Sequence, residues 1–313
     1  MSGPFRVLDE RNLMTTEHDT CLGQWAKDAR LFSSRPVEEN DAALTLIVAD
    51  FEYSYDRDRH AAYALAEGKA AERKIRWPFH RIAAASWLVL HFAPGKTLPE
   101  IEEPVVLTGD ALSERQMVEA FFDACRAEQN AIVTTWGGEA KDLAALRTAA
   151  MVHALVLPTQ LADLHPHSRH RIDLCQTTSV AAASVHLPEF AAALGIPSKP
   201  SASADIGPLV ATGQWELVAE QVLADVVTTA VIAFYQLTSL GQLLIDRPMT
   251  LLTLSERLKR AFPASNFCRR SFAPWARARH AEAGLRGTIY RAPSTAMASM
   301  PVRKAQQAEG EFA

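Results

Sequence analysis

At 313 residues, with 48% hydrophobic and 22% charged residues, the chain carries enough apolar material for a full core, which excludes a disordered or low-complexity protein. A formal net charge of −4 excludes any whole-molecule electrostatic argument for nucleic-acid binding, so such an argument must be local. The four cysteines, Cys21, Cys125, Cys175 and Cys268, show no paired spacing of a zinc or disulfide framework and point to a reducing compartment.

Residues 1–40 are mixed and polar without periodicity and read as an irregular N-terminal extension. The opening string MSGPFRVLDERN lacks the basic-then-apolar layout of a secretory signal, so a cytoplasmic location is expected. Residues 44–52 (LTLIVADFE) read as a strand that ends on two carboxylates. Residues 57–76 are dense in Arg, Lys and Glu around an Ala-rich interior, a solvated excursion or short helix stopped by Pro78. Residues 82–92 (IAAASWLVLHF) read as a second, buried strand, and residues 105–107 fit a short third one.

Ser113 is placed to cap a helix running to about Glu128. Residues 131–136 (AIVTTW) are strand-like, Gly137 and Gly138 turn the chain, and residues 140–153 are helical. Residues 165–172 form a loop rich in His and Arg, where His165, His167 and His170 offer a metal reading beside the plainer one of an exposed loop. Residues 187–194 are a short helix stopped by Gly195 and Pro197, and residues 215–244 are one long helix or two joined ones. The order of elements implies an α/β domain around a mixed sheet.

The uncharged stretch 226–245 is about long enough to span a bilayer, but its Thr, Ser and Gln residues favour a buried helix, and no membrane contact is expected. From residue 255 to 292 the composition turns basic: Arg257, Lys259, Arg260, Arg269, Arg270, Arg277, Arg279, Arg286 and Arg291 face only Glu256 and Glu282. Phe262, Phe267, Phe272 and Trp275 are interleaved with them, which fits either a solvated appendage or a phosphate-contacting surface with stacking aromatics. The expected organisation is therefore an extension over 1–40, a domain over 41–245, a basic helical appendage over 246–292 and a disordered tail over 293–313.

Asp50 and Glu52 stand two apart on a strand and so share a face, where two carboxylates repel unless a cation lies between them. Asp142 follows the Gly137-Gly138 turn, at the strand rim where ligands gather in open α/β sheets. Asp225 interrupts the apolar string LVAEQVLADVVTTAVIAFYQL, where an acid is costly unless paired or bound to a cation. Taken singly, Asp142 also reads as a helix cap and Asp225 as a hydrogen-bonded core acid. Asp173 reads as a cap or supporting residue.

Together these features resemble a known family. The strings ADFE (49–52), PFHRI (78–82) and VTTWGG (133–138) are followed by Asp142-Leu143 with Leu146-Arg147, then RHRIDL (169–174), LGIP (194–197) and ADV (224–226). In this order they are similar to the predicted exonuclease family related to the proofreading domain of family B DNA polymerases, within the DEDD superfamily of 3′→5′ exonucleases. The resemblance implies a ribonuclease-H-like fold with a five-stranded mixed sheet flanked by helices. It implies that Asp50, Glu52, Asp142 and Asp225 hold two ions, Mg²⁺ or Mn²⁺. Beside them Tyr53, Trp136 and Lys141 are expected to meet substrate, and Lys141 reads either as a phosphate contact or as a partial replacement for a cation through pairing with a carboxylate. The substrate implied is single-stranded nucleic acid at its 3′ end, DNA before RNA.

The likeness breaks at the water-orienting group. The family's tyrosine four residues before the last Asp is Gln221 here, and the alternative histidine five before is Glu220, a possible substitute base. The family's Asn before the glycine is Gly137, the aromatic before its Asp is Lys141, and Tyr53 replaces a small hydroxyl residue. Two readings follow: an active exonuclease lacking its usual base, or a catalytically impaired nucleic-acid-binding module that keeps the fold.

Overall fold

The computed structural model describes residues 43–165, 168–178, 185–202 and 205–289. The N-terminal extension, His167 and the tail beyond residue 289 lie outside the described residues. In chain order the elements are β1 (Leu44–Tyr55), α1 (Arg57–Glu67), β2 (His80–Phe92), β3 (Glu100–Ile101), β4 (Val105–Thr108), α2 (Glu114–Ala127), β5 (Ile132–Thr135) and α3 (Asp142–His153). They continue with α4 (Thr159–Ala162), β6 (Arg171–Asp173), α5 (Leu174–Thr178), α6 (Leu187–Ala193), α7 (Ile206–Ala211) and α8 (Trp215–Ser239). Last come α9 (Arg247–Ala261), a π-helical turn Phe267–Phe272 and α10 (Ala273–Ile289).

The sheet runs β3-β2-β1-β5-β6, with β4 also on β2. β1 and β2 are antiparallel, whereas β5 is parallel to β1 and β6 is parallel to β5. This is a ribonuclease-H-like mixed sheet flanked by helices. Its strands number six because the third position is split. Ile101 pairs with Leu90, and Val105 resumes opposite Trp87 on the same edge of β2. Between them stands Pro104, which has no N–H to give to a ladder.

Alternation along β1 sorts its side chains onto two cores. Leu46 and Val48 pack with α8, and Ile47, Ala49 and Phe51 pack with Phe121 and Phe122 of α2 and Leu146 of α3. Helix α2 starts where Ser113 and Gln116 close a reciprocal capping box, as its spacing predicts.

Helix α8 is apolar all round because both its sides are covered: the sheet lies on one, and Leu251, Leu254, Leu258, Phe267 and Phe272 lie on the other. It has the length and apolarity to cross a membrane, yet it sits inside the core. The aromatics of the basic segment are likewise packing groups. Phe267 and Phe272 are buried, and Trp275 Nε1 donates to the Gly195 carbonyl at 2.7 Å, so these rings are not open platforms for bases. Arg269, Arg270, Arg277 and Arg279 point to solvent.

The loop expected over 165–172 ends as a strand. Arg171 opens β6, and its buried guanidinium donates to Glu139 Oε1 at 2.8 Å and to the Gln160, Asp163 and His165 carbonyls. Among the described residues, no group of metal-ligating side chains includes His165 or His170.

Candidate active site

β1 outruns its parallel neighbour. Its last pair with β5 is Val48 with Thr134, and the next residues on that face are Asp50 and Glu52. Where β5 stops, Trp136 and Gly137 turn the chain toward α3. Gly137 has φ +70°, and a Cβ on Gly138 would lie 2.3 Å from Thr135 Oγ1, so a side chain would collide there. Asp173 fastens this turn: its carboxylate accepts from the N–H groups of Gly137 at 2.8 Å and Glu139 at 3.1 Å, and from Cys175 N at 3.1 Å. The turn delivers Asp142 as the first residue of α3. From the opposite side, α8 contributes Asp225.

All four acids line one cleft of about 660 Å³. Asp50, Glu52 and Asp225 each bring a carboxylate oxygen within 4.8 Å of the others. Asp142 stands beside them, its Oδ1 accepting a 2.7 Å hydrogen bond from the buried Tyr53 hydroxyl. Burial first, and then the charges of Asp225, Glu52 and Asp142, push the Asp50 carboxyl well above the ordinary range. Burial likewise raises Glu52 to about 7 and Asp142 to about 6, against the opposing pull of lysine charges. Asp225 is raised too, chiefly by burial.

One cation in the cleft is absent from the sequence reading. Lys199 reaches in from the segment after α6, with Nζ 2.5 Å from Asp225 Oδ2 and 3.6 Å from Glu52 Oε1. Burial works against its charge, but Asp225 and Glu52 outweigh it and hold its pKa above the usual lysine value. The only hint in the sequence is a single lysine in the string IPSKPS, upstream of Asp225.

The other expected residues separate. Lys141 is exposed, with Nζ 4.3 Å from the centre of the Tyr53 ring. Trp136 lines the cleft, held by a 2.9 Å hydrogen bond from Nε1 to the Val185 carbonyl and by the Phe190 ring 4.8 Å away. Glu220 faces elsewhere: its carboxylate accepts from Phe267 N–H and lines a groove with Phe262 and Asn266. It is not among the residues around the acids, because five residues of helix bring its side chain roughly 140° round from Asp225. Gln221 donates to Ser201 Oγ.

The acids fit a divalent cation. Hard cations take carboxylate oxygens, and Asp225 Oδ1 is buried with no hydrogen-bond partner among the described residues. A mixed sheet of this order with four such acids at its rim is the arrangement that the resemblance to DEDD-type 3′→5′ exonucleases implies. The family model described as "Predicted 3'-5' exonuclease related to the exonuclease domain of PolB" matches residues 73–243, more than half of the chain, and the chain belongs to that family. The match begins after β1, so Asp50 and Glu52 stand on the geometry. No curated protein matches the chain.

Among solved structures, the family B DNA polymerase of the hyperthermophilic archaeon Pyrobaculum calidifontis is similar at 13% identity and a TM-score of 0.46, over 69% of this chain and 29% of that one. E. coli exonuclease I in complex with a dT13 oligonucleotide is similar at 13% identity and a TM-score of 0.35, over 71% of this chain and 46% of that one. The chain thus spans less than half the length of either.

Proposed function

We propose that the chain is a metal-dependent exonuclease that hydrolyses the terminal phosphodiester at the 3′ end of a single strand, with Asp50, Glu52, Asp142 and Asp225 holding Mg²⁺ or Mn²⁺. The observation that carries this is the gathering of Asp50, Glu52 and Asp225 within 4.8 Å, with one buried Asp225 oxygen left unpartnered. Acids that repel one another and stay raised in pKa even beside the Lys199 ammonium are a poor structural device and a good ligand set. A divalent cation held by these acids would supply an activated water and stabilisation of the leaving oxygen.

The chain's own residues prepare the rest. The cleft carries Arg57, Lys74 and Lys141 among its lining residues, all solvent-exposed cations suited to the phosphates of an incoming strand. Trp136 and His186 line it as well and offer ring faces to unpaired bases. DNA before RNA is favoured by the family's kinship to a DNA polymerase domain.

The test is digestion of 3′-labelled and 5′-labelled single strands in Mn²⁺, comparing the native chain with Asp50→Ala. Stepwise loss of the 3′ end by the native chain alone is expected. Equal cleavage by both proteins, or shortening from the 5′ end, removes the proposal.

A further inference from the structure

We infer that Lys199 fills one of the cation positions of the acid cluster, so that the site takes a single divalent ion where the family likeness implies two. The inference rests on the metal-dependent reading above and deepens it.

Lys199 is built into the site. Its side chain is 5% exposed, and its ammonium engages two of the three gathered acids, Asp225 at 2.5 Å and Glu52 at 3.6 Å. The segment carrying it is fastened to α8 on either side of Asp225. Thr228 Oγ1 donates to the Pro197 carbonyl at 3.0 Å, and Gln221 Nε2 donates to Ser201 Oγ. Residues 221, 225 and 228 are four and three apart and so share one face of the helix. Pro197 and Pro200 flank the lysine and restrict its backbone further.

Gln221 occupies the position where the family likeness places a tyrosine. Here its amide holds the lysine segment. The departure from the family at 221 and the presence of Lys199 in the pocket are therefore parts of one arrangement.

What remains suits one ion. Asp225 Oδ2 faces the ammonium, which leaves the unpartnered, buried Oδ1. Asp142 has one oxygen committed to Tyr53. Mg²⁺ is typically held by one or two carboxylates with water and substrate phosphate making up the rest, a requirement that Asp225 and Asp50 can meet. A second divalent ion would share Asp225 and Glu52 with a fixed positive charge a few ångströms away, and like charges at that range repel strongly in a cleft poor in water.

The experiment counts ions on the full chain. Mn²⁺ is titrated into the native protein, Lys199→Met and Lys199→Gln, with stoichiometry read by calorimetry and by the electron paramagnetic resonance of unbound Mn²⁺. One Mn²⁺ per native chain and two per variant are expected, a doubling on loss of the ammonium. Two ions on the native chain overturn the inference, whether or not the variants fold. One ion on the native chain and on both folded variants overturns it as well. No binding by any of them overturns the metal-dependent reading itself, an outcome distinct from the other two.

Discussion

The Tyr53 hydroxyl donates to Asp142 Oδ1 across 2.7 Å, tying β1 to the first residue of α3. Burial, and next the Asp142 charge, hold the phenol well above its ordinary pKa, so it remains a donor at any working pH. Tyr53→Phe keeps the ring under Lys141 and removes only the donor. A hydrogen bond to a charged group contributes roughly 1.5–3 kcal/mol. Exonuclease turnover is expected to fall by at least about tenfold, with a higher Mn²⁺ concentration needed for half-maximal rate. A variant with unchanged metal dependence would mean that the phenol does not position Asp142.

Asp50→Asn should separate stability from function. Its carboxylate is crowded by burial and by three neighbouring acids, so the neutral amide relieves the metal-free fold. Melting temperature without metal is expected to rise by roughly 1–2 °C, the response of a chain of this size to about 1 kcal/mol. The stabilisation that excess Mn²⁺ gives the native chain should largely vanish. A lower metal-free melting temperature would count against the repulsion.

The metal-free protein should lose stability as pH rises. Glu52 is raised from 4.5 to about 7 and Asp142 from 3.8 to about 6. Between the unfolded and folded values the native state binds more protons than the unfolded chain, so the slope of unfolding free energy with pH is negative. For these two groups the fall should run from about pH 4 to about pH 7. Bound Mn²⁺ favours the ionised ligands and should remove most of that slope. Melting curves across this range, with and without Mn²⁺, check the sign.

Arg171 is a structural keystone away from the acids. Its side chain is 2% exposed, pairs with Glu139 and satisfies three carbonyls. Breaking one partner of a buried pair costs about 3–5 kcal/mol. Arg171→Ala should lose that much in urea unfolding, and Arg171→Lys only part of the way less, since an ammonium cannot reproduce the forked donors.

The parts of this fold legible in the sequence are those with a long apolar signature or a defined cap. β1 and β2 announce themselves by runs such as LTLIVA and ASWLVL, α2 by its Ser113 cap, and α8 by the long apolar run on either side of Asp225. β6 has no such signature. It has three residues, of which Arg171 and Asp173 are buried by polar partners supplied by distant loops. Lys199 was illegible for a related reason: a lone lysine between prolines reads as surface until the chain's path over α8 is known. The same holds in reverse for Glu220, which sits close to Asp225 in sequence but serves the Phe267 turn.

The split third strand has an effect on the sheet as a whole. One outer edge is interrupted at Pro104, with Glu102 and Glu103 beside it, and the other edge is the three-residue β6. Among the described residues, neither border offers a long, flat row of free amide groups on which another chain could add a strand. The geometry that frames the acids is thereby shielded from edge-to-edge aggregation, and replacing Pro104 would weaken that shield before it touched the chemistry.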